Sequence, residues 1–76
     1  MRDTIIEILE EIKPGVDFEN EAAIISSGIL PSIKIVKLVN MLDDEFDISI
    51  SADKLIPENF ESVDAIERLI TELQDE

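Results

Sequence analysis

The chain has 76 residues, of which 19 are acidic and 6 basic, and its formal net charge is −13. This charge repels phosphate backbones and anionic lipid, so it excludes nucleic acid as a partner and favours proteins with basic docking surfaces. Hydrophobic residues, almost all aliphatic, make up 45% of the chain. That fraction is too high for a disordered acidic chain, and the length fits a single domain over residues 1–76.

Several kinds of chemistry lack their usual residues. The chain has no Cys, His, Tyr or Trp, so it has no disulfide, no thiolate, no base beside a serine nucleophile and no usual zinc ligand. The spacing of Asp, Asn and Gly that defines an EF-hand loop is also absent. We therefore expect no catalytic residue and no metal site.

The N-terminus lacks the basic and then apolar segments of a signal peptide, and the apolar runs are short. These features predict a soluble cytoplasmic protein without membrane insertion, and we expect a monomer.

The first predicted helix runs from Asp3 or Thr4 to the Pro14-Gly15 pair. Thr4 and Glu7 match a capping box at its start. Its apolar residues recur at helical spacing: Ile5, Ile8, Leu9 and Ile12. Residues 14–31 then form a long connection, and its many apolar residues predict that it is ordered and packs across the helices.

A second helix is predicted from Ser32 to about Phe46. The Ser32 hydroxyl can cap the free amides of the first turn, and Pro31 fixes the direction of entry. The apolar positions of this helix cover more than one buried stripe, so part of that surface is available to a ligand or partner. The residues predicted to face outward are Lys34, Lys37, Asn40, Asp43 and Asp44.

The remaining chain predicts a linker over residues 48–51, a short helical turn near Ala52–Leu55 closed by Pro57, and a last helix capped by Ser62. The predicted fold class is therefore all-α, a small four-helix bundle of three main helices and one short helix.

One segment carries a motif beyond the helix pattern. The run from Ser27 to Val39, with an acidic cluster ending at Phe46, resembles the attachment motif of acyl carrier proteins, and residues 55–66 resemble the family's junction before its last helix. The resemblance spans nearly the whole chain. It implies an acyl-carrier-protein-like bundle in which Ser32 receives a 4′-phosphopantetheine from coenzyme A, whose terminal thiol carries an acyl or aminoacyl group. The amides and dipole of a helix N-terminus are compatible with an anionic phosphodiester there, although a capping serine needs no such group.

The resemblance implies partners as well: a phosphopantetheinyl transferase and the enzymes that load and transfer the cargo in fatty-acid, polyketide or related biosynthesis. Candidate docking residues lie on the second helix: Ile33, Lys34, Lys37, Asp43 and Asp44. Ile33 stands at the family's hydrophobic contact position, although burial in the core is an equal alternative. Val36, Val39, Leu42, Ile66 and Leu69 are interpreted as core.

Two positions depart from the family pattern. Pro31 replaces the aspartate that usually precedes the modified serine, and Lys34 and Lys37 lie on a helix that is usually acidic. Two alternatives to a carrier of fatty-acyl or polyketide groups follow: a D-alanyl or other aminoacyl carrier protein, and a helical protein-interaction module that is never modified.

Overall fold

The computed structural model describes residues 1–31 and 33–75, and within them the chain forms three α-helices and two 3₁₀ helices. The α-helices are α1 (Arg2–Ile12), α2 (Lys34–Phe46) and α3 (Val63–Gln74), and the 3₁₀ helices are Ala52–Lys54 and Pro57–Phe60. The described residues contain no strand. The prediction of a small all-α bundle is confirmed, with a second short helix that was not expected.

The three α-helices meet around an aliphatic core, and α1 packs against both α2 and α3. No polar or charged residue among the described ones is buried. The core draws on every part of the chain: Ile5, Ile8, Leu9, Phe18, Ile24, Leu30, Ile35, Leu38, Val39, Leu42, Ile50, Phe60, Val63, Ile66, Leu69 and Ile70. Burial of this apolar surface is the main force that holds so small a domain together.

The start of α1 differs from the prediction. The helix begins at Arg2 with Met1 as its N-cap, and no side chain caps it. Thr4 is therefore inside the helix, and the predicted capping box with Glu7 is wrong. The earlier start places Arg2 where its guanidinium pairs with Asp64 on α3 and donates to the Glu19 carbonyl at 3.5 Å. These contacts tie the first residue of α1 to α3 and to the connection.

The connection between α1 and α2 is ordered, as predicted. Phe18, Ile24 and Leu30 are buried in the core, although most other residues of the connection are exposed. Gly15 and Gly28 have φ angles of +87° and +82°, a conformation that side chains other than glycine rarely adopt. The segment thus closes the bundle without forming a helix of its own.

The two ends of α2 are built differently. At its start, Lys34 N donates to the Pro31 carbonyl at 2.9 Å, and α2 begins at Lys34 with Ile33 as its N-cap. At its end, Asp47 adopts φ 54°. There the Asp43 carbonyl accepts from Ile48 N at 3.2 Å, and the Asp43 carboxylate accepts from Ile50 N at 3.1 Å. This turns the chain back toward the core.

The last third follows the sequence pattern closely, with one correction. Pro57 does not close the first short turn; it opens the second 3₁₀ helix, where its fixed φ and missing amide hydrogen are favourable. Ser62 caps α3 as predicted, since its hydroxyl accepts from Ala65 N at 3.1 Å. No helix among the described residues is long and apolar enough to cross a membrane.

Candidate functional site

The connection delivers the chain to the start of α2 by fixed contacts. Leu30 is buried, and its amide donates to the Ile24 carbonyl at 3.0 Å. The next residue, Pro31, is exposed. The chain therefore leaves the core between Leu30 and Pro31, just before the candidate attachment residue.

Glu61 fastens this connection to the start of α3. Its carboxylate accepts hydrogen bonds from Ile25 N at 2.8 Å, from Ser26 N at 2.9 Å and from the Ser26 hydroxyl. Its backbone carbonyl accepts from Ile24 N at 2.8 Å. These donors, first the Ser26 hydroxyl, lower the pKa of Glu61 below its usual value, while partial desolvation opposes them. We call this set of contacts the Glu61 clamp.

No sequence pattern indicates the Glu61 clamp. Glu61 precedes a helix cap, where an acidic residue is common for reasons of helix electrostatics alone. Its donors lie 35 and 36 positions away, and no spacing rule joins residues so far apart in the chain.

Ser32 itself lies outside the described residues, so the predicted attachment point and its capping role are not tested by the structure. Its two neighbours are described. Pro31 is exposed, and the side chain of Ile33 is 79% exposed. Of the two alternatives for Ile33, the structure therefore excludes burial in the core.

Beyond Ile33, one side of α2 presents a mixed apolar and basic surface. Ile33, Lys34, Val36, Lys37 and Asn40 line one open depression, which we call the α2 patch. The prediction that Val36 belongs to the core is wrong, since its side chain is 58% exposed. The buried stripe of α2 consists of Ile35, Leu38, Val39 and Leu42, and Val36 lies outside this stripe.

The charge at the start of α2 differs from that of the rest of the molecule. Lys34 and Lys37 are exposed, and the first turn has no acidic residue. Among the described residues, the only ion pair joins Arg2 to Asp64, so neither lysine is paired with a carboxylate. A positive helix end with two lysines is a favourable environment for a phosphodiester anion. The described neighbours of Ser32 therefore fit a phosphopantetheine group.

Comparison with known proteins indicates the family. Over 68 aligned residues the chain is 37% identical to aminoacyl carrier protein 1 of Bradyrhizobium diazoefficiens, and the match covers 88% of this chain and 74% of that protein. The chain belongs to the acyl carrier protein family. No family model matches it, and no solved structure matches it. This relationship supports an acyl or aminoacyl carrier role.

The acidic docking candidates of this family member lie in two different environments. Asp43 is half-buried and holds the linker through Ile50 N, so its carboxylate is already engaged. Asp44 is exposed and lines a groove between α1 and α2 that also contains Glu7, Glu11 and Glu45. The docking roles of Asp43 and Asp44 remain predictions, as do those of Ile33, Lys34 and Lys37.

The other residues interpreted as core lie in the interior. Val39, Leu42, Ile66 and Leu69 are all buried, so that prediction is confirmed.

Among residues 1–31 and 33–75, no group of three or more acidic side chains is arranged to hold a metal ion.

Proposed function

We propose that this chain carries an aminoacyl or acyl group as a thioester on a 4′-phosphopantetheine arm attached to Ser32. The observation that carries the proposal is the 37% identity with a protein named as an aminoacyl carrier, over 88% of this chain. The described residues on either side of Ser32, Pro31 and Ile33, are exposed, which supports a modification site at this point of the chain.

The name of the relative, an aminoacyl carrier protein, favours an amino acid as the cargo over a fatty-acyl or polyketide chain. When bound, the arm supplies a thiol, a group that a chain without cysteine lacks. The chain's own residues hold the attachment point and offer surfaces to partners; they do no bond chemistry. Its partners are the transferase that adds the arm and the enzymes that load and remove the cargo.

The local charge supports this assignment. Lys34 and Lys37 stand in the first turn of α2, where the helix dipole already disfavours cations, so they cost some helix stability. An anion attached at the start of the helix removes that cost, because it interacts favourably with both the dipole and the lysines.

The experiment is intact-mass analysis after incubation with coenzyme A and a broad-specificity phosphopantetheinyl transferase. The wild type is expected to gain one phosphopantetheine. Ser32→Ala is expected to gain none, and the control Ser27→Ala, at an exposed serine before the helix, to gain one. Modification of Ser32→Ala would disprove the site.

A specific observation, Pro31 in place of the usual aspartate, favours a second candidate: a helical interaction module that is never modified. Absence of any mass gain with several transferases, including that of the native host, would favour this module. If the arm is present, mass spectrometry of the group released by hydroxylamine from protein purified from the host identifies the cargo. An amino acid is expected, and a fatty-acyl chain would contradict the aminoacyl assignment.

A further inference from the structure

The Glu61 clamp joins the start of α3 to the segment that leads to Ser32. We propose that Glu61 is a positioning residue for arm attachment: it holds the loop of residues 24–30 in the arrangement from which the transferase receives the serine. The inference rests on the proposed function. It adds a residue that belongs neither to the attachment motif nor to α2.

The loop of residues 24–30 is folded on itself. Leu30 N donates to the Ile24 carbonyl at 3.0 Å and closes the loop, and Gly28 N donates to the Ile25 carbonyl at 3.1 Å inside it. The positive φ of Gly28, +82°, makes the turn between these two bonds. A compact loop closed by its own bonds passes a shift at one of its ends to the other. The position of its first residues therefore affects the point at which the chain leaves toward Ser32.

Glu61 provides the directional contacts of this loop. Among the described residues, every hydrogen bond that joins residues 24–30 to α2 or to later residues ends on Glu61. Ile24 and Leu30 are also buried in the core, but the hydrophobic effect that holds them there is non-directional. Burial keeps the loop on the bundle, and the Glu61 clamp fixes its orientation.

Orientation matters for the reaction at Ser32. The serine oxygen forms a bond to the phosphorus of coenzyme A that bears pantetheine, the pyrophosphate P–O bond breaks, and adenosine 3′,5′-bisphosphate leaves. The serine proton passes to a base of the enzyme. A misplacement of about 1 Å can slow an aligned displacement of this kind about 100-fold. A residue that fixes the loop before the serine therefore favours the reaction without contacting the reacting atoms.

A second tie between the connection and α3 provides the matched control. Arg2 pairs with Asp64 of α3 and donates to the Glu19 carbonyl at 3.5 Å, near the other end of the connection. Asp64→Asn removes one negative charge near the start of α3 and loosens this tie. It leaves the four hydrogen bonds of the Glu61 clamp in place.

The first test measures steady-state kinetics of arm attachment with coenzyme A and the purified transferase of the native host. Glu61→Ala removes all three hydrogen bonds to the carboxylate. The kcat/KM for the carrier is expected to fall about tenfold, while the KM for coenzyme A stays unchanged. Asp64→Asn is expected to stay within about twofold of wild type.

Glu61→Gln separates the hydrogen bonds from the charge. One carboxylate oxygen, Oε1, accepts from both Ile25 N and Ser26 N. The glutamine oxygen can do the same, while its amide group donates to the Ser26 hydroxyl oxygen. The geometry is kept and the charge is lost, so Glu61→Gln is expected to stay within about threefold of wild type.

Ser26→Ala tests the clamp from the side of the loop. It removes the hydroxyl donor and is expected to lower kcat/KM about threefold in wild type. In the Glu61→Ala background it should have no further effect, since its partner is already absent. Circular dichroism at the assay temperature checks that each variant is folded. If Glu61→Ala is unfolded there, Ser26→Ala against Asp64→Asn decides.

The outcomes separate the two proposals. Wild-type kinetics for Glu61→Ala, or equal losses for Glu61→Ala and Asp64→Asn, overturn the positioning role and leave the carrier function standing. A loss in Glu61→Gln as large as that in Glu61→Ala assigns the effect to charge and also overturns it. Absence of modification of wild type by any transferase overturns both.

Discussion

Ile33 and Ile35 stand two residues apart at the start of α2 and differ almost completely in exposure, at 79% and 6%. Replacing Ile35 with alanine removes three buried carbon atoms, and at about 0.8 kcal/mol for each the loss is about 2.4 kcal/mol. A residual cavity adds to this loss, while the better helix propensity of alanine offsets about 0.5 kcal/mol. We therefore expect Ile35→Ala to lower the free energy of unfolding by roughly 2.5–3.5 kcal/mol.

The same substitution at Ile33 is expected to change the free energy of unfolding by less than about 0.5 kcal/mol, because the side chain is mostly in water already. A domain of 76 residues has about 4–11 kcal/mol in total, so the loss at Ile35 is a large fraction of its stability. Urea denaturation followed by circular dichroism at 222 nm measures both variants. Equal destabilisation by the two substitutions would refute the assignment of Ile33 to the surface, and with it the apolar half of the α2 patch.

Three further predictions concern the rest of the fold. The pKa of Glu61 is lowered in the folded state, so its contribution to stability is present above its unfolded pKa and is lost as the pH falls through the folded one. The free energy of unfolding of Glu61→Gln, from urea titrations between neutral and acid pH, should therefore fall less on acidification than that of wild type; parallel curves would contradict this. Ser62→Ala removes the cap of α3 and should cost about 1 kcal/mol, or roughly 4–8 °C in melting temperature, whereas Ser49→Ala at an exposed linker position should cost almost nothing. Because of the net charge of −13, the melting temperature should rise between low and moderate NaCl, and no change would disprove net self-repulsion.

The sequence was sufficient for the features that depend on local periodicity. The apolar residues of α3 recur at helical spacing after a serine, and both the cap at Ser62 and the buried Ile66 and Leu69 follow from that pattern. The ordered connection was also predictable, since Phe18 and Leu30 need burial somewhere.

Features that depend on the neighbouring elements were not predictable. Thr4 satisfied the capping pattern, but α1 begins at Arg2, which pairs with Asp64 of α3, a contact that no local pattern indicates. Val36 is apolar, as core residues usually are. It lies outside the buried stripe of α2, and the position of that stripe depends on how α2 packs against the other helices. The family motif predicts Ser32 as the attachment point, whereas the Glu61 clamp could be found only in three dimensions.

The Glu61 clamp has a consequence for how the domain opens. Its four hydrogen bonds converge on one residue, so they are lost together when the connection separates from α3. The amide hydrogens of Ile24, Ile25 and Ser26 should therefore exchange with solvent as a single cooperative unit, with a shared opening free energy. Substitution of Glu61 should therefore lower the opening free energy of the whole segment that precedes Ser32.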